Sequence, residues 1–208
     1  VFQNSSRITS LDLSSWNTSE VKSMNGLFSD MSSLNSLNIS NFNTSNVTTM
    51  AAMFNGVKSL TSLDLSHFDT SKVIDMRSMF KDMQSLQTIN LSGFNTSNVE
   101  WMSHMFFMTT ANPPITNLDL SSFNTSKVTD MRRMFYLYDM DISKDKLEKI
   151  YVNNDFNTAK LTNFSEMFKN RKKLRGGNGS YLANPSTADK TWLRVDRPGV
   201  QGYFTRKP

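Results

Sequence analysis

A single sequence unit recurs along the chain and constrains its fold more than any other feature. Five tetrads of the form aliphatic–Asx–aliphatic–Ser, or a close variant, begin at Leu11, Leu37, Leu63, Ile89 and Leu118. Their spacing is constant over the first four and lengthens before the fifth. A degenerate sixth copy begins at Ile150, after a still longer interval. The consensus reads LxxLDLSxFNTSxVxxMxxMFxxMxS. A unit of this size cannot bury its apolar side chains alone, so successive units must stack into a solenoid.

Each unit divides into three local patterns. Residues 34–39 alternate apolar and polar side chains, which predicts a short, half-buried strand. Residues 43–45, Asn-Thr-Ser, offer side-chain oxygens for a turn and for a helix N-cap. Residues 47–54 place apolar side chains at their first, fourth, seventh and eighth positions. This spacing predicts about two turns of helix with one buried face.

Two sets of side chains are predicted to form the core. The methionines and phenylalanines of the helical segments pack inside, because flexible methionine fills the gaps between imperfect repeats. The aromatic residue after each strand is predicted to form an internal stack. That column consists of Trp16, Phe42, Phe68, Phe94, Phe123 and Phe156.

A period of 20–29 residues with the pattern LxxLxL is typical of leucine-rich repeats. The sequence therefore predicts an α/β fold, a leucine-rich-repeat solenoid of about six to seven strand–turn–short-helix coils with a parallel sheet. The solenoid is predicted to span residues 1–175 and to begin with a truncated repeat at 1–10. Val1 and Phe2 precede Ile8 by the offset seen inside later repeats, so we expect either a longer parent array or a very short N-terminal cap.

The periodicity stops after Leu174, and glycines at 176–179 mark a break. Residues 191–196 and 202–205 are predicted to be two strands on either side of a turn. We therefore expect residues 176–208 to form a small β C-terminal cap, which a solenoid needs to close its open end.

Composition argues against an enzyme. The chain has no cysteine and two histidines, His67 and His104, which excludes thiol chemistry and leaves little for a zinc site or a catalytic triad. No phosphate-binding loop or paired glutamates are present, and no apolar run approaches the length of a membrane span. We expect no catalytic residue, no cofactor, no metal and no direct membrane insertion.

Positive charge is concentrated in the C-terminal half. Residues 1–104 hold 6 Lys/Arg and 8 Asp/Glu, whereas residues 105–208 hold 17 and 10. A basic run comprises Lys169, Arg171, Lys172, Lys173 and Arg175. It is a candidate site for sulfated glycans or anionic wall polymers, or else a solvated end that keeps the array soluble. No nucleic-acid recognition motif accompanies it, so nucleic acid is not an expected partner.

Three aromatic residues break the polar pattern of their columns, and a fourth lies close by. They are Trp101, Phe107, Tyr136 and Tyr138, at or beside positions that are polar in other repeats. They neighbour two insertions, at 108–114 and 138–146. Aromatic side chains beside long loops are candidate ligand contacts. The alternative is that they cover the core where the regular coil is interrupted.

The outward strand positions carry small polar side chains in every regular repeat, for example Ser36, Asn38 and Ser40. Protein-binding hot spots favour Trp, Tyr and Arg, and these are absent from the strand face before Tyr151. The pattern suits a hydrogen-bonding face for a glycan or an extended polar chain. It suits a solvated sheet equally well.

The repeat resembles a known family. LDLSSFNTSKVTDMRRMF at 118–135 resembles the unit of the BspA-like leucine-rich-repeat surface proteins of host-associated bacteria. The segment STADKTWLRVD…GYFT at 186–205 is similar to the end of such arrays. The resemblance implies an extracellular, wall-anchored parent protein that adheres to host surfaces, with its anchor outside this chain. It carries no catalytic residues to transfer.

The expected function is therefore that of a non-catalytic, bacterial cell-surface adhesin segment. The implied partners are a host extracellular-matrix protein, mucin or a cell-surface glycan, bound by a monomer. Two alternatives stay open. One is a structural spacer that projects another adhesive domain, and the other is polyanion binding through the basic C-terminal end.

Overall fold

A computed structural model describes residues 1–109, 114–138 and 141–208. Within these ranges the regular elements are seven short strands and three single-turn 3₁₀ helices, with no α-helix. The strands are β1 Ser10–Asp12, β2 Ser36–Asn38, β3 Ser62–Asp64, β4 Thr88–Asn90, β5 Asn117–Asp119, β6 Lys149–Val152 and β7 Phe204–Arg206. The 3₁₀ helices are Ile142–Lys144, Pro185–Thr187 and Lys190–Trp192.

The strands pair in parallel, each with the equivalent strand of a neighbouring coil. The ladders join β1 to β2, β3 to β4, and β5 to β6 to β7. Equivalent repeat positions face each other, as Leu11 faces Leu37 and Leu63 faces Ile89. The chain is thus a parallel-strand β-solenoid that makes about five turns from its first coil to its sixth. The described residues form no ladder between β2 and β3 or between β4 and β5, so the sheet is interrupted twice.

A second ladder runs without interruption on another side of the coils. It joins single residues of six successive coils in parallel. They are Ser23, Thr49, Asp75, Trp101, Asp130 and Asn163. Backbone hydrogen bonds accompany it, as from Met24 N to Thr49 O (3.0 Å) and from Met50 N to Asp75 O (2.9 Å). This ladder keeps the coils in register where the strand ladder is broken.

The predicted helix at 47–54 is wrong. Its residues form consecutive tight turns in which alternate N–H groups point to different partners. Met53 N donates to Met50 O within the coil (3.3 Å), whereas Phe54 N donates to Met79 O of the next coil (2.9 Å). Successive β-turns place apolar side chains inside at the same offsets as a helix, so the spacing alone does not distinguish the two.

A left-handed residue in each coil prevents the helix. Ala52 has a φ of 55° and is the third residue of the turn that closes on Met53. A positive φ at this position is typical of a type II turn and incompatible with a continuing right-handed helix. Glycine occupies the position only in the first of six coils. The column is Gly26, Ala52, Ser78, His104, Arg133 and Glu166.

The predicted methionine and phenylalanine core is confirmed. Met50, Met53 and Phe54 are fully buried. Phe54 belongs to a continuous stack along the solenoid axis, with neighbouring ring centroids 5.2–6.0 Å apart. The stack consists of Phe28, Phe54, Phe80, Phe106, Phe135 and Phe168. The second predicted column is internal at Phe42, Phe68, Phe94 and Phe156. Its first member, Trp16, is 42% exposed.

The Asn-Thr-Ser triplet links coils rather than capping helices. Asn95 Oδ1 accepts hydrogen bonds from Ser97 N (3.1 Å) and Oγ (2.7 Å), as the predicted turn requires. The threonine is buried, and its hydroxyl pairs with the backbone of the next coil. Thr70 Oγ1 accepts from Asn95 N (2.8 Å) and donates to Asn95 O (3.0 Å). The column is Thr18, Thr44, Thr70, Thr96 and Thr125.

The C-terminal segment extends the last sheet. β7 pairs in parallel with β6, matching the strand predicted around 202–205. The other predicted strand, at 191–196, is corrected, because Lys190–Trp192 is a 3₁₀ turn capped by the side chain of Asp189. Asp155 ties this segment to the solenoid by accepting hydrogen bonds from Val195 N (2.9 Å) and Arg197 Nη1 (2.8 Å).

We predict that Thr70→Val lowers the free energy of unfolding by about 1–3 kcal/mol, because both backbone groups of Asn95 lose a buried partner. Urea denaturation measures the loss. Thr61→Val, the same change at an exposed threonine, should alter stability by less than about 0.5 kcal/mol. Equal effects of the two substitutions would show that the buried hydroxyl does not link the coils.

Candidate functional site

Three of the four predicted aromatic contacts lie together. Phe107 and Tyr136 occupy the same position in adjacent coils, and their rings stack at 4.8 Å between centroids with an interplanar angle of 7°. Tyr138 continues the stack, 6.4 Å from Tyr136. Phe107 and Tyr136 are largely buried (8% and 6% exposed), whereas Tyr138 is 62% exposed. Tyr138 therefore presents the aromatic surface of this cluster to solvent.

Cations flank the stack at both ends. Lys81 Nζ lies 5.0 Å from the centroid of Phe107. Lys169 Nζ and Arg133 Cζ lie 5.4 and 5.2 Å from the centroid of Tyr136. Such contacts contribute about 0.5–2 kcal/mol each, and they hold the long basic side chains in place. We call this set the aromatic–cationic ridge: Lys81, Phe107, Arg133, Tyr136, Tyr138 and Lys169.

Glu166 organises the basic side chains of the ridge. Its carboxylate accepts hydrogen bonds from Lys169 Nζ (3.0 Å) and Arg133 Nη2 (3.1 Å). The hydrogen bond from Lys169, with help from Arg133, lowers the pKa of Glu166. The same carboxylate, and then Tyr136, raise the pKa of Lys169. Glu166 and Lys169 are therefore both ionised at neutral pH, and the ridge has more positive than negative charge.

His104 lies beside the ridge, with its ring 5.5 Å from that of Phe107. Partial burial lowers its pKa, and the positive charges of Arg132, Lys81 and Arg133 lower it further. The imidazole is therefore neutral at pH 7. The positive charge of this surface comes from lysine and arginine and does not change near neutral pH.

The fourth predicted aromatic contact, Trp101, lies in the second ladder and is 37% exposed. Its ring contacts Arg77, whose Cζ is 5.2 Å from the ring centroid. Arg77 is held in turn by Asp75, with 2.6 Å between Nη2 and Oδ2. That hydrogen bond raises the pKa of Arg77. Trp101 thus has a cationic partner of its own and repeats the chemistry of the ridge on a smaller scale.

The predicted basic run does not form one patch. The prediction that Arg171 contacts a ligand is wrong. Its side chain is buried, where Nη1 pairs with Asp145 Oδ1 (2.8 Å) and Nε donates to Phe135 O (2.7 Å). Asp145 belongs to the insertion before β6, so the pairing closes the irregular coil. Arg171 therefore contributes to the fold and leaves no guanidinium for an external ligand.

The remaining cations of the run point to different neighbours. Lys169 belongs to the ridge, and Lys173 pairs with Glu148 (3.4 Å). Arg175 lies over the ring of Tyr181, with Cζ 4.0 Å from the centroid. Lys172 is exposed. Arg175, Tyr181 and the adjacent Lys172 form a smaller aromatic–basic cluster at the C-terminal end.

Two residues of the ridge, Lys81 and Arg133, were not among the predicted contacts, and alignment of the repeat columns could have identified the first. Lys81 shares its repeat position with Phe107, Tyr136 and the predicted Lys169, so stacking of the coils brings all four together. Arg133 occupies the left-handed position of its coil. Residues 110–113 and 139–140 of the two predicted insertions lie outside the described residues. In the described part of the chain, no group of three or more acidic or histidine side chains is arranged to hold a metal ion, and no helix is long and apolar enough to cross a membrane.

Comparison with known proteins identifies a family but no function. The family described as "Mycoplasma protein of unknown function, DUF285" matches the chain twice, over residues 1–118 and 59–175. The two overlapping matches cover the repeats from the first coil to the end of the basic run. No curated protein and no solved structure matches the chain.

We predict that Arg171→Met lowers the free energy of unfolding by about 3–5 kcal/mol, because it leaves the Asp145 carboxylate buried without its counter-charge. The double variant Arg171→Met/Asp145→Leu should recover most of this loss. Lys172→Met, at an exposed neighbour, should change stability by less than about 0.5 kcal/mol. A double variant as unstable as the single one would contradict the ion pair.

Proposed function

This chain belongs to the DUF285 family, and we propose that it is a non-catalytic, ligand-binding segment of a bacterial cell-surface adhesin. The proposal includes its kinship with the BspA-like leucine-rich-repeat surface proteins. The residues that carry this resemblance are the LDLSxFNTS and VxxMxxMF motifs, which residues 118–135 contain in full. The expected ligands are host extracellular-matrix or mucosal proteins and their glycans.

The aromatic–cationic ridge is the observation that carries the proposal. Tyrosine and arginine are among the residues that dominate protein-binding hot spots. Here Tyr136 stands where the first two coils have Ser29 and Asn55, and Arg133 lies beside its ring. Tyr138 supplies an exposed ring, which stacks on the buried ring of Tyr136. Lys81 and Lys169 add positive charge on either side.

Ligand binding at the ridge requires only surface contact and electrostatic attraction. Arg133 and Lys169 are already held by Glu166 and by the ring of Tyr136, so little side-chain entropy is lost when a ligand binds. The excess positive charge selects ligands with carboxylate or sulfate groups and accelerates their encounter. Acidic patches of matrix proteins and acidic mucin glycans have this chemistry.

Polyanion binding at the C-terminal end is the second candidate. The observation that favours it is the cluster of Arg175, Tyr181 and the exposed Lys172. The burial of Arg171 and the pairing of Lys173 with Glu148 reduce the charge available there. We therefore rank this end below the ridge.

The test compares two matched triple variants for binding to matrix proteins, mucin and sulfated glycans at about 50 and 300 mM salt. The ridge variant is Lys81→Gln/Arg133→Gln/Tyr138→Ser. The control variant is Lys172→Gln/Arg175→Gln/Tyr181→Ser, which removes the same residue types from the C-terminal cluster. We predict that the ridge variant loses at least about tenfold in affinity and the control less than about twofold.

Two results would contradict the proposal. Binding that the control variant abolishes and the ridge variant keeps would assign the function to the C-terminal end. Absence of binding by the unaltered chain at either salt concentration would favour a spacer that projects another domain. Thermal denaturation of both variants separates loss of contact from loss of fold.

A further inference from the structure

The interruption between β4 and β5 opens a cleft in the strand face. The cleft has a volume of about 350 Å³, at the low end of the range of small-molecule sites. Its polar and aromatic lining includes Gln87, Thr88, Asn117, Asp119, Tyr151 and Lys207. We call it the β4–β5 cleft. It lies on the strand face, and none of its lining residues belongs to the aromatic–cationic ridge.

The opening is built into the two coils that flank it. The repeat lengthens here, between Ile89 and Leu118, and β5 pairs onward with β6 instead of back with β4. The same coils stay joined elsewhere. Asp82 N donates to Phe107 O before the strands (2.9 Å), and Ser122 Oγ donates to Leu91 O just beyond them (2.8 Å). The cleft is therefore held open between two fixed points.

The cleft is too narrow for an added peptide strand. Cα atoms of β4 and β5 approach within 8 Å of each other. A strand inserted between them would need twice the inter-strand spacing, about 9.5 Å. An occupant must therefore be a compact group that enters from the solvent side.

The charges in the cleft cancel. Lys207 Nζ hydrogen-bonds to Asp119 Oδ2 and lies 5.9 Å from the centroid of the Tyr151 ring. Partial burial of the Asp119 carboxyl opposes ionisation, but the hydrogen bonds from Lys207 and Ser121 outweigh it and lower the pKa of Asp119. At neutral pH the two groups form an ion pair. A phosphate or sulfate group thus finds no uncompensated positive charge.

The remaining groups suit sugar hydroxyls. Gln87, Thr88 and Asn117 are exposed, and each side chain both donates and accepts hydrogen bonds. Asp119 adds a further acceptor. Tyr151 and the half-buried Ile89 supply apolar surface, against which the C–H face of a pyranose ring can pack. The lining of the comparable cleft between β2 and β3 includes Asp64 and His67 but no tyrosine.

We propose that the β4–β5 cleft binds a neutral saccharide unit through Gln87, Asn117, Asp119 and Tyr151. This site is additional to the ridge, and the proposal holds whether or not the ridge binds a host ligand. The chain then has two separate sites. One is a neutral-sugar site on the strand face, and the other is the positively charged aromatic–cationic ridge.

The first experiment needs no substitution. The chain is applied to an array of neutral, sialylated and sulfated glycans, and the strongest neutral binder is titrated into ¹⁵N-labelled protein. We expect selective binding of a neutral glycan and amide shift changes confined to residues 87–90, 116–119 and 151. Absence of neutral glycan binding, or shifts centred on residues 133–138, would overturn the proposal.

The second experiment uses matched variants. Gln87→Ala/Asn117→Ala should weaken binding of the selected glycan at least about tenfold, since two direct hydrogen-bonding groups are lost. Gln201→Ala/Asn178→Ala removes the same residue types from exposed positions near the C-terminus and should change binding less than about twofold. Binding that survives the first variant would refute the site. Binding of acidic peptides or sulfated glycans alone would refute the ligand class.

Discussion

Hydrogen bonding between coils is the constraint on which the rest of the structure depends. In the turn segment, Phe54 N donates to Met79 O and Phe80 N donates to Met105 O, so one coil satisfies the backbone of another. A buried N–H group without a partner costs about as much as a lost hydrogen bond. Each coil therefore needs its neighbour, and the threonine hydroxyls, of which Thr70 is an example, extend the same dependence to the turn before it. The stacked phenylalanines fill the interior that this backbone framework encloses.

The same constraint creates both proposed sites. Equivalent residues of adjacent coils lie one strand spacing apart, about 4.8 Å. Two aromatic substitutions in one column, Phe107 and Tyr136, therefore produce a stacked pair, with centroids 4.8 Å apart. Between β4 and β5 the strand ladder is interrupted while the second ladder continues, and the β4–β5 cleft lies at that interruption. A regular solenoid becomes specific through a changed column in one place and an interrupted strand ladder in another.

The sequence predicted the repeats, their register and their buried columns, because a fixed period translates directly into stacking. It did not distinguish a helix from consecutive β-turns, since both bury Met50, Met53 and Phe54. The deciding feature is the left-handed conformation of Ala52, which glycine marks only once in its column. The aromatic part of the ridge was predictable from column alignment. The burial of Arg171 was not, because its partner Asp145 lies in an irregular insertion outside the repeat pattern.

The most direct test of this account is detection of scalar couplings across hydrogen bonds by NMR on the deuterated, ¹⁵N,¹³C-labelled chain. The account predicts a coupling from the amide nitrogen of Phe54 to the carbonyl carbon of Met79 in the next coil. An α-helix over residues 47–54 would instead couple Phe54 to the carbonyl of Met50, four residues earlier. Observation of the Phe54–Met50 coupling would contradict the inter-coil framework.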